Sequence, residues 1–199
     1  MEIEGGFPAL KITRKTGKEI FSNNGKPLNF NLLNFWQWSV SDLISNATRG
    51  ILAEYIVATA LGLADGFRVE WDAFDLLTAN NTKIEIKSAA YLQSWHHQKL
   101  SDIRFSIRPT QYLSSTASDL EIKRQADIYV FCLLHHQEKD SIDPMNLDQW
   151  EFYILRSLVL NEMFPKQKTI GLKSLLKANP LKANYNEIKS CIEQLTEVL

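Results

Sequence analysis

Nine residues, "ADIYVFCLL" (Ala126–Leu134), constrain this chain more than any others. The run holds one charge and otherwise only apolar and aromatic residues, and it lacks the alternation of a strand with one wet face. It reads as a central strand buried on both sides, so other layers must cover both of its faces. Around it, "FRVEW", "DAFDLLTA", "KIEIKSAA", "DIRFSI" and "WEFYILRS" read as further strands, with "NNT" as a turn. "SLVLNEMF" is ambiguous, and "LKSLLKA" and "NYNEIKSCIEQLTEVL" read as closing helices. The most helical region is "NLLNFWQWSVSDLISNATRGILAEYIVATALG", which Ser39 or Ser41 can cap and Gly62 can stop. At 100° per residue, Val40, Ile44, Ala47, Ile51, Tyr55 and Ala58 share one arc of that helix, which makes it the expected core face. The order of elements gives an α/β fold, a mixed sheet flanked by helices on both sides.

At 199 residues the chain suits a single domain, 1–199, in which the Gly-, Asn- and Lys-rich residues 1–28 form a loosely packed arm with a short hairpin at "NNGK". No apolar run approaches the roughly 20 residues a membrane span needs. "MEIEGGFPAL" has acids where a signal peptide needs bases, so a cytoplasmic location is expected. Cys132 lies inside the apolar run and reads as a core residue; with Cys191 as its only companion, a disulfide framework or thiolate zinc site is not expected. The net charge of −1 argues against a generic DNA-coating protein, but residues 83–124 carry seven Lys or Arg against four acids. That surplus permits a local phosphate-facing surface.

Three acids and one lysine stand out. In "KIEIK", Ile84 and Ile86 fall on one face of a strand, Glu85 and Lys87 on the other, about 6–7 Å apart. Glu54 falls on the apolar arc of the helix, where a carboxylate is costly unless a charge, metal or donor meets it. Asp75 precedes Glu85 by a nine-residue interval, enough for a hairpin. For Asp75 and Glu85 to share a face, the loop between them must have an odd number of residues or contain a bulge. Such a cluster suits Mg²⁺, with Mn²⁺ able to substitute. Asp75, Glu85 and the Ile86 carbonyl would be ligands, Glu54 would hold a second metal or a metal-bound water, and Lys87 would balance charge on a phosphate. The plain structural readings are a cross-strand ion pair on a wet face for Glu85 and Lys87, worth a fraction of a kcal/mol, and a salt bridge with Arg49 for Glu54.

The pattern of Asp75, then Glu85-Ile86-Lys87, after a helix carrying Glu54, resembles the PD-(D/E)XK nuclease superfamily, the restriction-endonuclease-like fold. The resemblance covers roughly residues 40–135. It departs from the signature in having Phe74 where a proline often stands, and Asp72 is an alternative first acid. The resemblance implies a Mg²⁺-dependent DNA endonuclease of restriction or repair type, acting as a homodimer, with Glu54, Asp75, Glu85 and Lys87 catalytic. In the following "SAAYLQSW", Gln93 is a weaker candidate and Gln98 weaker still; Trp95 and His96 are possible substrate contacts. The rival class is a non-catalytic nucleic-acid-binding or interaction module on the same fold. Other features carry less. The adjacent pairs His96-His97 and His135-His136 lack the i, i+4 spacing of a zinc helix, the remaining tryptophans read as core or interface anchors, and "GLADG" lacks the lysine of a phosphate loop.

Overall fold

The computed structural model describes residues 7, 9–70, 72–111 and 122–197. In chain order its elements are β1 (Ile20–Asn23), β2 (Lys26–Asn31), α1 (Leu32–Val40), α2 (Asn46–Leu61), β3 (Leu76–Leu77), β4 (Lys83–Ala90), β5 (Arg104–Ser106), β6 (Thr110–Gln111), β7 (Ile122–Lys123), β8 (Ile128–Leu134), β9 (Trp150–Arg156), α3 (Ser157–Met163), β10 (Thr169–Gly171), α4 (Leu172–Lys177), β11 (Leu181–Ala183) and α5 (Ile188–Thr196). Two compact units result: residues 1–41 with 66–68, and residues 42–65 with 69–199.

In the smaller unit, β1 and β2 form a hairpin about Asn24-Gly25, both at positive φ (50° and 74°), the geometry that matches strand twist in a two-residue turn. This is the "NNGK" turn. Asn31 caps α1, accepting from the Asn34 amide, while the Asn34 side chain accepts from the Asn31 amide.

The larger unit is built on a five-stranded mixed sheet in the order β11-β9-β8-β4-β3. Strand β8 lies in the middle, parallel to β4 and antiparallel to β9, and all seven of its residues are buried. Ile128, Val130, Cys132 and Leu134 pack on one side with Ala53, Ile56 and Val57 of α2 and Ile188 and Ile192 of α5. Tyr129, Phe131 and Leu133 pack on the other with Phe105 of β5, Leu160 of α3, Ile170 of β10 and Leu175 of α4. The second face is thus covered by short helices together with a small two-stranded sheet, β5 with β10. Phe105 meets Phe131 edge-on, ring centroids 5.2 Å apart.

Several local readings are revised. "DIRFSI" gives β5, which pairs with β10 and lies outside the central sheet. In "FRVEW", residues 67–70 are not a strand, and Trp71 lies outside the described residues. "SLVLNEMF" is helical, as α3. The long helical stretch is two helices, broken at residues 41–45. There the Asp42 carboxylate accepts from the amides of Ile44 (3.1 Å) and Ser45 (3.0 Å), and Ser45 caps α2. Asp and Ser side chains compete for backbone groups and so end helices. Ser45, not Ser39 or Ser41, is therefore the cap, whereas Gly62 ends α2 at φ 70° as its position suggested. The expected apolar arc is also wrong. Ile51 and Tyr55 are 46% and 56% exposed, and the sheet is met by Ala53, Ile56 and Val57. Helix α2 is apolar on most sides, so periodicity could not choose its stripe; the small Ala53 and Val57 allow the close approach.

Phe131 is fully buried between Phe105 and Tyr129. Phe131→Ala should destabilise the fold by about 3–5 kcal/mol, read as the shift in a urea unfolding midpoint at constant m-value.

Candidate active site

Strands β3 and β4 form a hairpin at one edge of the central sheet, with Leu76 opposite Ile84 and Leu77 opposite Lys83. The connecting loop is residues 78–82, an odd number. It is closed by the Thr78 amide donating to the Thr82 carbonyl (3.0 Å) and by Asn81 at φ 61°, a left-handed position that Asn tolerates. The paired register ends at Leu76, and Asp75 is placed by two hydrogen bonds to β4. The Asp75 amide donates to the Ile84 carbonyl (3.0 Å), and the Ile86 amide donates to Asp75 Oδ2 (2.6 Å). The Asp75 carboxylate is therefore fixed against the backbone of β4. Asp72, exposed and outside β3, takes no such position.

Lys87 Nζ forms an ion pair with Glu85 Oε1, both side chains partly buried. In the parallel register, Glu85 pairs with Tyr129 and Lys87 with Phe131, so the acid and the lysine emerge on the aromatic side of the sheet. Burial pushes the Asp75 carboxyl up to about 6 from its ordinary 3.8. Glu85 adds to the rise, Glu54 adds less, and Lys87 and the Ile86 amide oppose it. The Tyr129 phenol is raised by burial first and by Glu85 next. The Cys132 thiol is raised by burial, then by Asp75 and Glu54. Asp75 therefore feels both Glu85 and, more weakly, Glu54, although α2, which carries Glu54, packs on the face of the sheet opposite the one from which Glu85 emerges. Among the described residues, no three His, Cys, Asp or Glu side chains are gathered closely enough to hold a metal ion by themselves.

Residues 29–174 match the family model described as bacteriophage T4 endonuclease IV. The chain belongs to this family. The matched segment contains α2 and the whole β3–β4 hairpin, so Glu54, Asp75, Glu85 and Lys87 all lie inside the part of the chain that defines the T4 endonuclease IV family resemblance. No curated protein matches the chain significantly.

The other candidates are dispersed along residues 91–103, beyond the end of β4. Gln93 is buried: its Nε2 donates to the Ala90 carbonyl (3.2 Å) and to Ser101 Oγ (3.1 Å), while its Oε1 has no partner among the described residues. Trp95 is 52% exposed, and His96 and Gln98 are exposed. Trp150 is buried and donates to the Pro144 carbonyl (3.0 Å), whereas Trp38 is 85% exposed. Arg49 is buried at the start of α2, donating to the Ile44 carbonyl and the Asn46 side chain. Sequence reasoning missed two neighbours of the site. Tyr129 lies beside Glu85 only because β4 and β8 pair in this register. Asp127 latches the two strands together, its Oδ2 accepting from the Lys83 amide and its amide donating to the Lys83 carbonyl, both at 2.8 Å.

An unfolded aspartate ionises near 3.8, whereas folded Asp75 does so near 6. Between these values the folded state binds more protons than the unfolded state, so this group's contribution to stability falls as pH rises from about 4 to about 6. Asp75→Asn keeps the oxygen that accepts from Ile86 and removes the charge. In metal-free buffer the variant should be more stable than wild type at pH 7.5, by about 1–3 kcal/mol, with the gap closing toward pH 4. Urea midpoints at the two pH values measure it; equal midpoints at pH 7.5 would mean that the carboxylate pays no burial cost.

Proposed function

We propose that this member of the T4 endonuclease IV family is a Mg²⁺-dependent DNA endonuclease of restriction or repair type, built on the restriction-endonuclease-like fold of the PD-(D/E)XK superfamily. The observation that carries the reading is Asp75 hydrogen-bonded to the β4 backbone at Ile84 and Ile86, on the strand that carries the Glu85–Lys87 ion pair, inside the segment that matches an endonuclease family. The mixed sheet with α2 against β4 supports the superfamily assignment.

The donor chemistry fits a hard divalent cation, which prefers carboxylate and carbonyl oxygens and retains several waters. Asp75 and Glu85, with the Ile86 carbonyl, would hold the ion, and Glu54 would add negative charge from α2. The upward push on Asp75 from Glu85 and Glu54 is the charge accumulation that a cation relieves. A bound Mg²⁺ would polarise the scissile phosphate and lower the pKa of an attacking water. Asp75 is held in place for this by the Ile86 amide. Lys87, steered by its ion pair with Glu85, would stabilise the charge that builds on the phosphate as it becomes pentavalent and would orient the water. A two-fold dimer would supply one site for each strand of a duplex.

Supercoiled plasmid incubated with Mg²⁺ or Mn²⁺ should be nicked or linearised by wild type. Lys87→Ala and Asp75→Ala should each slow cutting by about 10²–10³-fold. Cutting that survives both substitutions refutes the assigned site. A wild type that cuts nothing, and that releases no heat when titrated with Mg²⁺ in a calorimeter, would favour the non-catalytic binding module.

A further inference from the structure

The surplus of positive charge in residues 83–124 is not one surface. Lys87 is engaged with Glu85. Arg124 is buried, donating to the carbonyls of Ile107 (2.9 Å), Phe164 (2.8 Å) and Gln167 (3.3 Å) and to Asn161 Oδ1 (2.7 Å). Lys83, Lys99 and Lys123 are exposed outside β5, whereas Arg104 and Arg108 lie on or just past it. That strand turns Phe105 and Ile107 inward and leaves Arg104, Ser106 and Arg108 outward. Its partner β10 joins it antiparallel, with Gly171 opposite Arg104 and the Ile107 amide donating to the Lys168 carbonyl (2.9 Å). This pairing brings Lys166, Lys168 and Lys173 to the same small sheet. At one end a cavity of about 720 Å³ is lined by Arg104 and Lys173 with Ser101, Ser174 and one acid, Asp102. At the other, a cavity of about 710 Å³ is lined by Arg108, Lys166 and Lys168 with Thr110. Segments 104–110 and 165–173 hold these five cations and no acid. None of the five side chains has an ion pair or hydrogen bond among the described residues, whereas Lys182 and Lys189 are each placed against a glutamate.

Building on the nuclease reading, we infer that the β5–β10 sheet is the surface that grips the phosphate backbone of the nucleic acid flanking the cut. Five cations without ion-pair or hydrogen-bond partners among the described residues can replace the counterions of a polyanion, and the serine and threonine hydroxyls of the two cavities add neutral donors to phosphate oxygens. The sheet covers the same face of the central sheet from which Glu85 and Lys87 emerge, and the Ser101 amide ties its approach to the Tyr91 carbonyl just past β4 (2.8 Å). A backbone lying on it would therefore be on the same side of the molecule as the acid–lysine cluster.

The test is binding of a fluorescent DNA duplex to the full chain in EDTA, followed by anisotropy over a range of salt. The triple variant Arg104→Ala/Arg108→Ala/Lys168→Ala should bind at least about tenfold more weakly at 0.1 M salt, and the slope of log K against log salt should become shallower by about 2–3. Arg104→Lys/Arg108→Lys should keep the wild-type slope, which separates loss of charge from loss of fold. The control Lys11→Ala/Lys15→Ala/Lys18→Ala, in the other unit, should leave the slope unchanged. If wild type cuts and binds DNA but the first triple keeps the wild-type slope, or the control triple is the one that flattens it, this inference is overturned while the nuclease reading stands. A wild type that neither binds nor cuts overturns both.

Discussion

The parallel pairing of β4 with β8 is the contact on which the rest depends. Strand β8 has no polar face, so it is stable only when both sides are covered and both edges are hydrogen-bonded. β9 supplies one edge and β4 the other, and Asp127 fixes the start of the β4 pairing through two backbone bonds to Lys83. With that end fixed, the period of two along the strand sends Ile84 and Ile86 to the α2 side and Glu85 and Lys87 to the aromatic side. A slip of one residue would bury the charges under α2 and expose the isoleucines.

The same pairing explains the electrostatics. Glu85 and Lys87 rise from the sheet next to Tyr129 and Phe131, a poor medium for charge, and Asp75 is held against the same strand by the backbone of Ile84 and Ile86. The protein accepts an aspartate whose ionisation is penalised, and offsets this only in part with Lys87 and one backbone amide. Because β3 is an edge strand of two residues, the cluster sits at the margin of the sheet and not in its middle.

Charge of the opposite sign is handled differently in different places. Arg124 is spent on carbonyls and braces the connection between α3 and β10, and Lys182 meets Glu151. The five cations around β5 and β10 have no such structural duty among the described residues. A small sheet with an apolar underside and Arg104, Ser106 and Arg108 turned outward satisfies the core and still presents charge to the outside.

Much of the framework was legible in the sequence because it depends on local pattern. The unbroken run at 126–134 announces a doubly buried strand. The alternation at 83–87 assigns Glu85 and Lys87 to one face, and the 78–82 loop has the odd length that a hairpin joining Asp75 to that strand called for. Gly62 marks a helix end, and Cys132 falls in the core. Other features were decided only by tertiary structure, because they arise between segments far apart in the chain. The stripe of α2 that faces the sheet was chosen by packing, since the helix is apolar on several sides. The break between α1 and α2 came from Asp42 and Ser45 capturing backbone amides that a continuous helix would have used. Whether an arginine is a surface charge or a buried brace, as for Arg104 and Arg124, depends on which strand it ends up beside. Local alternation fixes the face to which a side chain points; only long-range pairing fixes what it meets there.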